Sequence, residues 1–201
     1  MTFAALLAHP GVDEVCVRRG RFGFMAYHGG SLEEMTDVIA GAAAEQSGAS
    51  YYGVHQPPDL QWHIPSIDVD PAESRELAWF LEHVDVVVTV HGYGRQGLWT
   101  TLLLGGGNRP LADHVGGHLR AALPAYEIAT DLQRIPKELR GLHPRNPVNR
   151  PTGGGVQLEL PPRVRGSSPL WADWDEPGPV PHTVALIDAL AAAARSWGAT
   201  G

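Results

Sequence analysis

The sequence predicts an α/β protein: a single domain built on an open, twisted mixed sheet with helices on both faces. Apolar, strand-like runs alternate along the chain with segments whose apolar residues recur at helical spacing, which is typical of this class. The chain has 201 residues, of which 43% are hydrophobic and 18% charged, so it can bury a substantial core. We therefore expect residues 1–201 to form one domain.

The predicted strands are short apolar or aromatic runs bounded by glycine, proline or charged residues. The valine-rich run VDVVVTV is the most strand-like of them and is predicted to be the central strand. In chain order, strands are predicted over residues 14–17, 22–27, 50–54, 61–64, 84–90, 125–130 and 154–160.

The predicted helices combine apolar residues at helical spacing with residues that begin or end helices. Ser31 is expected to cap the first helix, with Glu34 as its capping-box partner, and Gly48 to end it. Pro71 suits the first turn of the second helix. Helices are predicted over residues 32–46, 71–82, 111–123 and 182–197, loops over 105–107 and 134–151, and a Trp- and Pro-rich excursion over 166–181.

Two predicted strands each end in a histidine that is followed at once by glycine. The stretch FGFMAYHGGSLEE carries His28 at its strand end and Glu33 in the expected first turn of the next helix. The second, VDVVVTVHGYG, carries His91. Ligands bind beyond the carboxyl ends of strands in open α/β sheets, and catalytic zinc takes three protein ligands. These residues therefore predict one Zn²⁺ per chain, against the alternative that each histidine is a structural residue.

A carboxylate lies in the last predicted strand, GGGVQLEL. Glu159 sits there among apolar residues, and a buried carboxylate is costly unless it is paired or used. A zinc hydrolase needs a group that takes a proton from water and returns it to the leaving nitrogen. The alternatives are an ion pair with Arg163 or Arg165, or a place on a solvent-facing side of the strand.

The charge distribution points to an anionic ligand. The formal net charge is −7, which argues against general binding of nucleic acid. Residues 95–165, however, hold ten of the 15 basic residues and five of the 22 acidic ones, a local net charge of +5. This basic half is expected to face an anionic ligand, the alternative being a solvated surface with uneven charge.

Targeting signals and cysteine chemistry give further expectations. No apolar run reaches membrane-spanning length, and the N-terminal residues lack the basic region of a signal peptide. We expect no membrane partner, and a protein that is cytoplasmic or released without a signal peptide. The single Cys16 excludes an internal disulfide and a multi-cysteine metal site.

The order of these motifs resembles the poly-gamma-glutamate hydrolase family, small zinc peptidases of phage or bacterial origin. The resemblance rests on YHGGSLEE, TVHGYG, RNPVNR, GGGVQLEL and PPRVR, and runs from about residue 27 to residue 165. It implies a carboxypeptidase-like α/β fold with a motif-bearing core over about 14–165. For the C-terminal residues 166–201, with their tryptophans and last helix, the sequence identifies no counterpart in the family.

The resemblance also implies roles for individual residues. His28, Glu33 and His91 are implied as zinc ligands and Glu159 as the general base. Asn149 and Arg150 are similar to the Asn-Arg pair with which carboxypeptidases hold a substrate carboxylate. Another short segment, QWHIPS, resembles the family's LHITS. It has Pro65 in place of threonine, so the role of His63 stays open.

These observations predict a zinc-dependent hydrolase that cleaves amide bonds in gamma-linked glutamate polymers or peptides. Its partner is then an anionic peptide or gamma-glutamyl polymer. One alternative is a zinc-dependent deacylase or amidase acting on a small N-acyl amino acid or a cell-wall peptide. A non-enzymatic binding module is a further alternative, and it would require one of the four polar site residues to be missing.

Overall fold

A computed structural model describes residues 2–198, and within them one mixed sheet of seven strands forms the centre of the protein. The central strands run parallel, and an antiparallel pairing lies toward each edge. In chain order the strands are β1 (Asp13–Val17), β2 (Phe22–Gly30), β3 (Ser50–Gln56), β4 (Val86–Gly92), β5 (Thr101–Leu104), β6 (Glu127–Ala129) and β7 (Gly155–Leu160). Their order across the sheet is β1-β3-β2-β4-β7-β5-β6.

Helices cover both faces of this sheet. The helices are α1 (Phe3–Leu7), α2 (Thr36–Ser47), α3 (Arg75–His83), α4 (Arg109–Ala122), α5 (Pro162–Arg165) and α6 (Pro181–Ser196). Because side chains alternate along a strand, β2 sends Phe24 into the core shared with α2, α4 and α6, and Met25 into the core shared with α1 and α3. The predicted fold class is confirmed. No helix among residues 2–198 is long and apolar enough to cross a membrane.

The start of the first predicted helix is wrong. Strand β2 continues through Gly29 and Gly30, and α2 begins only at Thr36. Ser31 does not cap it: the Ser31 hydroxyl donates a hydrogen bond to the carbonyl of Pro57 at 2.6 Å. The residue before α2 is Met35, with a left-handed φ of 71°. Five residues, 31–35, therefore form a turn between strand and helix, and Glu33 lies in this turn.

Several other boundaries also differ from the sequence-based prediction. Residues 61–64 pair with no strand among the described residues, whereas the unpredicted Thr101–Leu104 forms β5. The helix predicted from residue 71 is divided by Ser74, whose side chain caps α3 by accepting from the Leu77 amide at 2.9 Å. The last helix is confirmed as Pro181–Ser196, and residues 199–201 of the predicted C-terminal segment lie outside the described chain.

An irregularity in β2 aims the side chain of His28. Along the pairing with β3, Ala26 lies opposite Gly53 and Gly29 opposite His55, so β2 has one extra residue between these pairs. Such a bulge changes the direction of the side chains next to it. In a regular strand Tyr27 and His28 would point to opposite faces. Instead, the rings of both lie 5.0 Å from the ring of His91, measured between centroids.

Glycine is required at the end of β2. Gly30 has a φ of +71°, and a Cβ placed on it would lie 2.2 Å from the carbonyl oxygen of Gln56. We expect Gly30→Ala to lower the free energy of unfolding by about 1–2 kcal/mol for the left-handed backbone, plus roughly 1–3 kcal/mol for overpacking. Gly48 is the matched control, because its φ is +73° and a Cβ there meets nothing within 4 Å.

Thermal and denaturant unfolding of Gly30→Ala and Gly48→Ala would measure the difference. Equal losses of stability in the two variants would show that the contact with Gln56 is not a constraint.

Candidate active site

Three predicted ligands converge at the carboxyl ends of β2 and β4. One ligand atom from each of His28, Glu33 and His91 lies within 4.8 Å of those of the other two. His28 is 2% exposed and His91 is 3% exposed, so both imidazoles are withdrawn from solvent. Two imidazole nitrogens and one carboxylate are the donor set of several catalytic zinc sites. We refer to these three residues as the ligand triad.

The Glu33 carboxylate is the centre of the ligand triad. Its Oε1 lies 2.8 Å from Nδ1 of His28, and its Oε2 lies 3.3 Å from Nδ1 of His91. Oε2 also accepts a hydrogen bond from the backbone amide of Gly92 at 2.8 Å. Burial acts to raise the pKa of Glu33, but the two histidine rings outweigh it and hold that pKa well below its usual range. The carboxylate is therefore kept ionised.

The outer nitrogens of the two histidines are also held. Nε2 of His28 lies 2.8 Å from the carbonyl oxygen of Ile64, and Nε2 of His91 lies 3.1 Å from the hydroxyl of Tyr27. A carbonyl only accepts, so Nε2 of His28 carries a hydrogen and Nδ1 is the nitrogen available to a metal. Outer partners of this kind orient metal-binding histidines. The residues present thus fit a divalent metal, with Nδ1 as the ligand atom of each ring.

Glu159 lies beside the ligand triad on β7. It pairs with His91 in the register of β4 and β7 and is 4% exposed. Neither alternative suggested by the sequence holds within the described residues, because Glu159 is not on a solvent face and makes no ion pair with Arg163 or Arg165. Burial raises the pKa of Glu159 to about 7. The group can therefore both take up and release a proton near neutral pH.

The ligand triad and Glu159 line one cavity of about 810 Å³. A further part of the lining, here called the basic wall, comes from the segment that follows β6 and carries the basic side chains of Lys137, Arg140 and His143 beside the acidic Glu138. A cavity with a candidate metal site, a buried carboxylate and a basic wall is suited to hydrolysis of an anionic substrate.

Sequence comparison identifies the family. The sequence profile described as poly-gamma-glutamate hydrolase matches residues 8–168. The chain belongs to the poly-gamma-glutamate hydrolase family. It is therefore a hydrolytic enzyme, as the sequence motifs predicted. Among functionally curated proteins, no sequence match was found.

Solved structures confirm the fold expected of a poly-gamma-glutamate hydrolase. A bacteriophage poly-gamma-glutamate hydrolase superposes with a TM-score of 0.78 at 20% identity, over 94% of this chain and 91% of that one. The zinc-free apo form of YNDL gives 0.72 at 20% identity, over 89% and 87% of the two chains. A putative carboxypeptidase from Burkholderia mallei gives 0.54 at 12% identity, over 96% of this chain and 66% of the other.

The Asn-Arg pair predicted to bind substrate lies outside the cavity of this family member. The Asn149 side chain joins loops: its Oδ1 accepts from the Gly107 amide at 2.9 Å, and its Nδ2 donates to the Gly141 carbonyl at 2.7 Å. Arg150 is exposed and lines a separate cavity of about 400 Å³. The structure brings neither residue to the ligand triad, whereas Arg140 lines the same cavity as the triad.

His63 lies in the cavity next to the ligand triad without belonging to it. Its ring packs against that of His28, with centroids 4.8 Å apart. Burial lowers the pKa of His63, which favours a neutral ring there. The segment that carries it also provides the Ile64 carbonyl that binds His28. The QWHIPS stretch therefore supports a ligand through its backbone.

Sequence reasoning missed the polar residues behind the site. Asn146 and Gln157 are 3% and 5% exposed and line the cavity. Gln157 stands two residues before Glu159 in a strand, and a period of two places both side chains on one face. The two-residue spacing from Glu159 could therefore have identified Gln157 from the sequence. Asn146 and Arg140 lie in an irregular segment, where no periodicity marks which side chains face the cavity.

We expect the protein to bind one divalent metal per chain at the ligand triad. His91→Ala removes one of three ligands and should lower metal content to a small fraction of the wild-type value, because the remaining two hold the ion weakly. Elemental analysis of protein purified without added metal would measure this.

The matched control is His63→Ala, which removes a histidine from the same cavity but outside the ligand triad, and should keep about one metal per chain. Full occupancy in His91→Ala, or equal loss in both variants, would remove His91 from the site.

Proposed function

We propose that this chain is a zinc-dependent hydrolase that cleaves amide bonds in gamma-linked glutamate polymers or peptides. The observation that carries the proposal is the convergence of the ligand triad, with its two buried histidines, in one cavity with the buried carboxylate of Glu159. Membership of the poly-gamma-glutamate hydrolase family supports the same conclusion.

The metal site has the donors that zinc needs for catalysis. His28, Glu33 and His91 are the proposed ligands, and all three line the cavity. When bound there, zinc supplies a Lewis acid that polarises the scissile carbonyl and lowers the pKa of attacking water. The Ile64 carbonyl and the Tyr27 hydroxyl contact Nε2 of the two rings, so Nδ1 of each ring lies toward Glu33 and would be the donor to a bound metal.

Glu159 is the proposed general base and acid. Its Oε1 accepts a hydrogen bond from the Gln157 amide at 2.8 Å, and Oε2 has no partner among residues 2–198. Oε2 is therefore the atom that takes a proton from the attacking water and later delivers it to the leaving nitrogen. A pKa of about 7 suits a group that must do both at neutral pH.

The basic wall supports an anionic substrate. A gamma-linked glutamate chain carries one free carboxylate on each residue, and Lys137, Arg140 and His143 face the cavity. Arg140 is the best placed of them: its Nε donates to the Ile135 carbonyl at 2.9 Å, and its own carbonyl accepts from the Gly106 amide at 2.7 Å. Its terminal nitrogens have no hydrogen-bond partner within residues 2–198, so they are free to bind a carboxylate with two parallel bonds.

Digestion of poly-gamma-glutamate beside alpha-linked polyglutamate, an N-acyl glutamate and a cell-wall peptide tests the proposal. We expect cleavage of the gamma-linked polymer only, loss of activity with chelator and recovery with zinc. Glu159→Gln keeps the side-chain shape but cannot take a proton, so turnover should fall by on the order of 100-fold.

Two results would contradict the proposal. Cleavage of the N-acyl amino acid or cell-wall peptide alone would assign the same metal site to a deacylase or amidase. Full activity in Glu159→Gln would remove Glu159 from the chemistry.

Arg140 and Arg150 can be compared directly as carboxylate-binding residues. Loss of a charged hydrogen bond costs about 1.5–3 kcal/mol, so Arg140→Ala should raise KM for poly-gamma-glutamate by roughly tenfold or more with kcat little changed. Arg150→Ala, in the separate cavity, is the matched change and should leave KM within about twofold. The reverse order of effects in steady-state kinetics would support the sequence-based prediction of Arg150 instead.

A further inference from the structure

Five buried side chains, four of which line the cavity, form a continuous series of hydrogen bonds. Nε2 of His91 lies 3.1 Å from the Tyr27 hydroxyl, which donates to Oδ1 of Asn146 at 3.4 Å. Nδ2 of Asn146 donates to Oε1 of Gln157 at 2.8 Å, and Nε2 of Gln157 donates to Oε1 of Glu159 at 2.8 Å. We call this series the amide relay. It connects a proposed metal ligand to the proposed general base.

The orientation of both amides in the relay is fixed by backbone groups outside it. Oδ1 of Asn146 accepts from the Val148 amide at 3.2 Å, which turns Nδ2 toward Gln157. Nε2 of Gln157 donates to the Leu139 carbonyl at 3.3 Å, which keeps Oε1 toward Asn146. An amide group cannot be reversed here without placing a donor against a donor or an acceptor against an acceptor.

The donors therefore all point the same way, from His91 to Glu159. Because an amide oxygen only accepts, the Tyr27 hydroxyl is the donor to Oδ1 of Asn146 and can accept from Nε2 of His91. The exposed fraction of the five residues is between 0% and 5%, so water does not replace these bonds. Buried polar groups of this kind are costly when unpaired, and each member depends on the next.

We propose that Asn146 and Gln157 are positioning residues that link His91 to Glu159 through this one-directional relay. At one end, the relay keeps the hydrogen of His91 on Nε2 and leaves Nδ1 for the metal. At the other end, it occupies Oε1 of Glu159 and leaves Oε2 facing the reaction. This inference rests on the proposed function, because it assigns these roles to the same site.

A purely structural role is the opposing explanation. Asn146 also begins the 3-10 turn Pro147–Asn149, and Gln157 also holds the Leu139 carbonyl, so both residues brace the wall of the cavity. The two explanations predict different values of kcat for a variant that keeps the shape of an amide side chain but replaces its hydrogen-bond donor by an acceptor.

Asn146→Asp is the decisive variant. The new carboxylate still accepts from Tyr27 and from the Val148 amide, but it cannot donate to Gln157. The Gln157 amide then turns to donate to residue 146 and places its oxygen against Glu159. We expect kcat to fall at least tenfold, KM to change by less than about twofold, and the affinity for zinc not to fall.

Three further variants complete the experiment. Tyr27→Phe removes the partner of His91, so zinc affinity, measured by competition with a chelator, should fall about tenfold or more. Gln157→Met removes the donor to Glu159 and should lower kcat without weakening zinc. Asn108→Asp is the matched control: it makes the same chemical change at the cap of α4, away from the cavity, and should change neither quantity.

The results separate the explanations. If Asn146→Asp lowers the melting temperature but keeps the kcat of the folded enzyme, the relay is structural and the proposal is wrong. Loss of zinc affinity in Asn146→Asp as large as in Tyr27→Phe would contradict the assigned direction. If Gln157→Met does not fold, Gln157→Glu, which keeps the size of the side chain and also lacks the donor to Glu159, replaces it. The zinc measurements need no substrate, so the Tyr27→Phe result still tests the His91 end of the relay if the proposed substrate is not cleaved.

Discussion

The carboxylate of Glu33, with a side chain that is 13% exposed, connects the parts of the site. Glu33 binds Nδ1 of His28 and His91 and the amide of Gly92, and thereby joins the ends of β2 and β4 to the turn between them. An ionised carboxylate is costly to bury without such partners. The turn that carries it is held from the other side by Arg165, which donates to the Glu34 carbonyl at 2.5 Å. The ligand triad is therefore formed by the fold itself and presents its donors before any substrate arrives.

The order of strands in the sheet places Glu159 and the basic wall beside the ligand triad. Because β7 lies next to β4, Glu159 stands opposite His91, and the segment that leads into β7 closes the cavity with Arg140. The segment before β7 also brings Asn146 within reach of Gln157, so the proposed ligand His91 and the proposed general base Glu159 share one set of buried hydrogen bonds. The pairing of β4 with β7 therefore brings the proposed metal site, the proposed base and the basic wall to one cavity.

The sequence predicted more of the site than of its surroundings. His28 and His91 were predicted because each ends an apolar strand before a glycine, and Glu159 because it lies within an apolar strand, signals that depend only on local composition. The local structure around Glu33 was predicted wrongly, because glycines that read as a turn instead extend β2, and a left-handed Met35 delays the helix. Arg140, in contrast, reaches the cavity through backbone contacts with a distant loop, so no local pattern could separate it from other arginines.

Diffraction from crystals of protein purified without chelator, recorded on both sides of the zinc absorption edge, would show directly whether zinc binds the ligand triad. We expect one anomalous peak per chain, within bonding distance of Nδ1 of His28, Nδ1 of His91 and the Glu33 carboxylate, with Glu159 beside it and not bound to it. A zinc peak elsewhere in the molecule would contradict this assignment. So would a zinc-loaded protein in which Glu33 still bonds directly to both histidine rings.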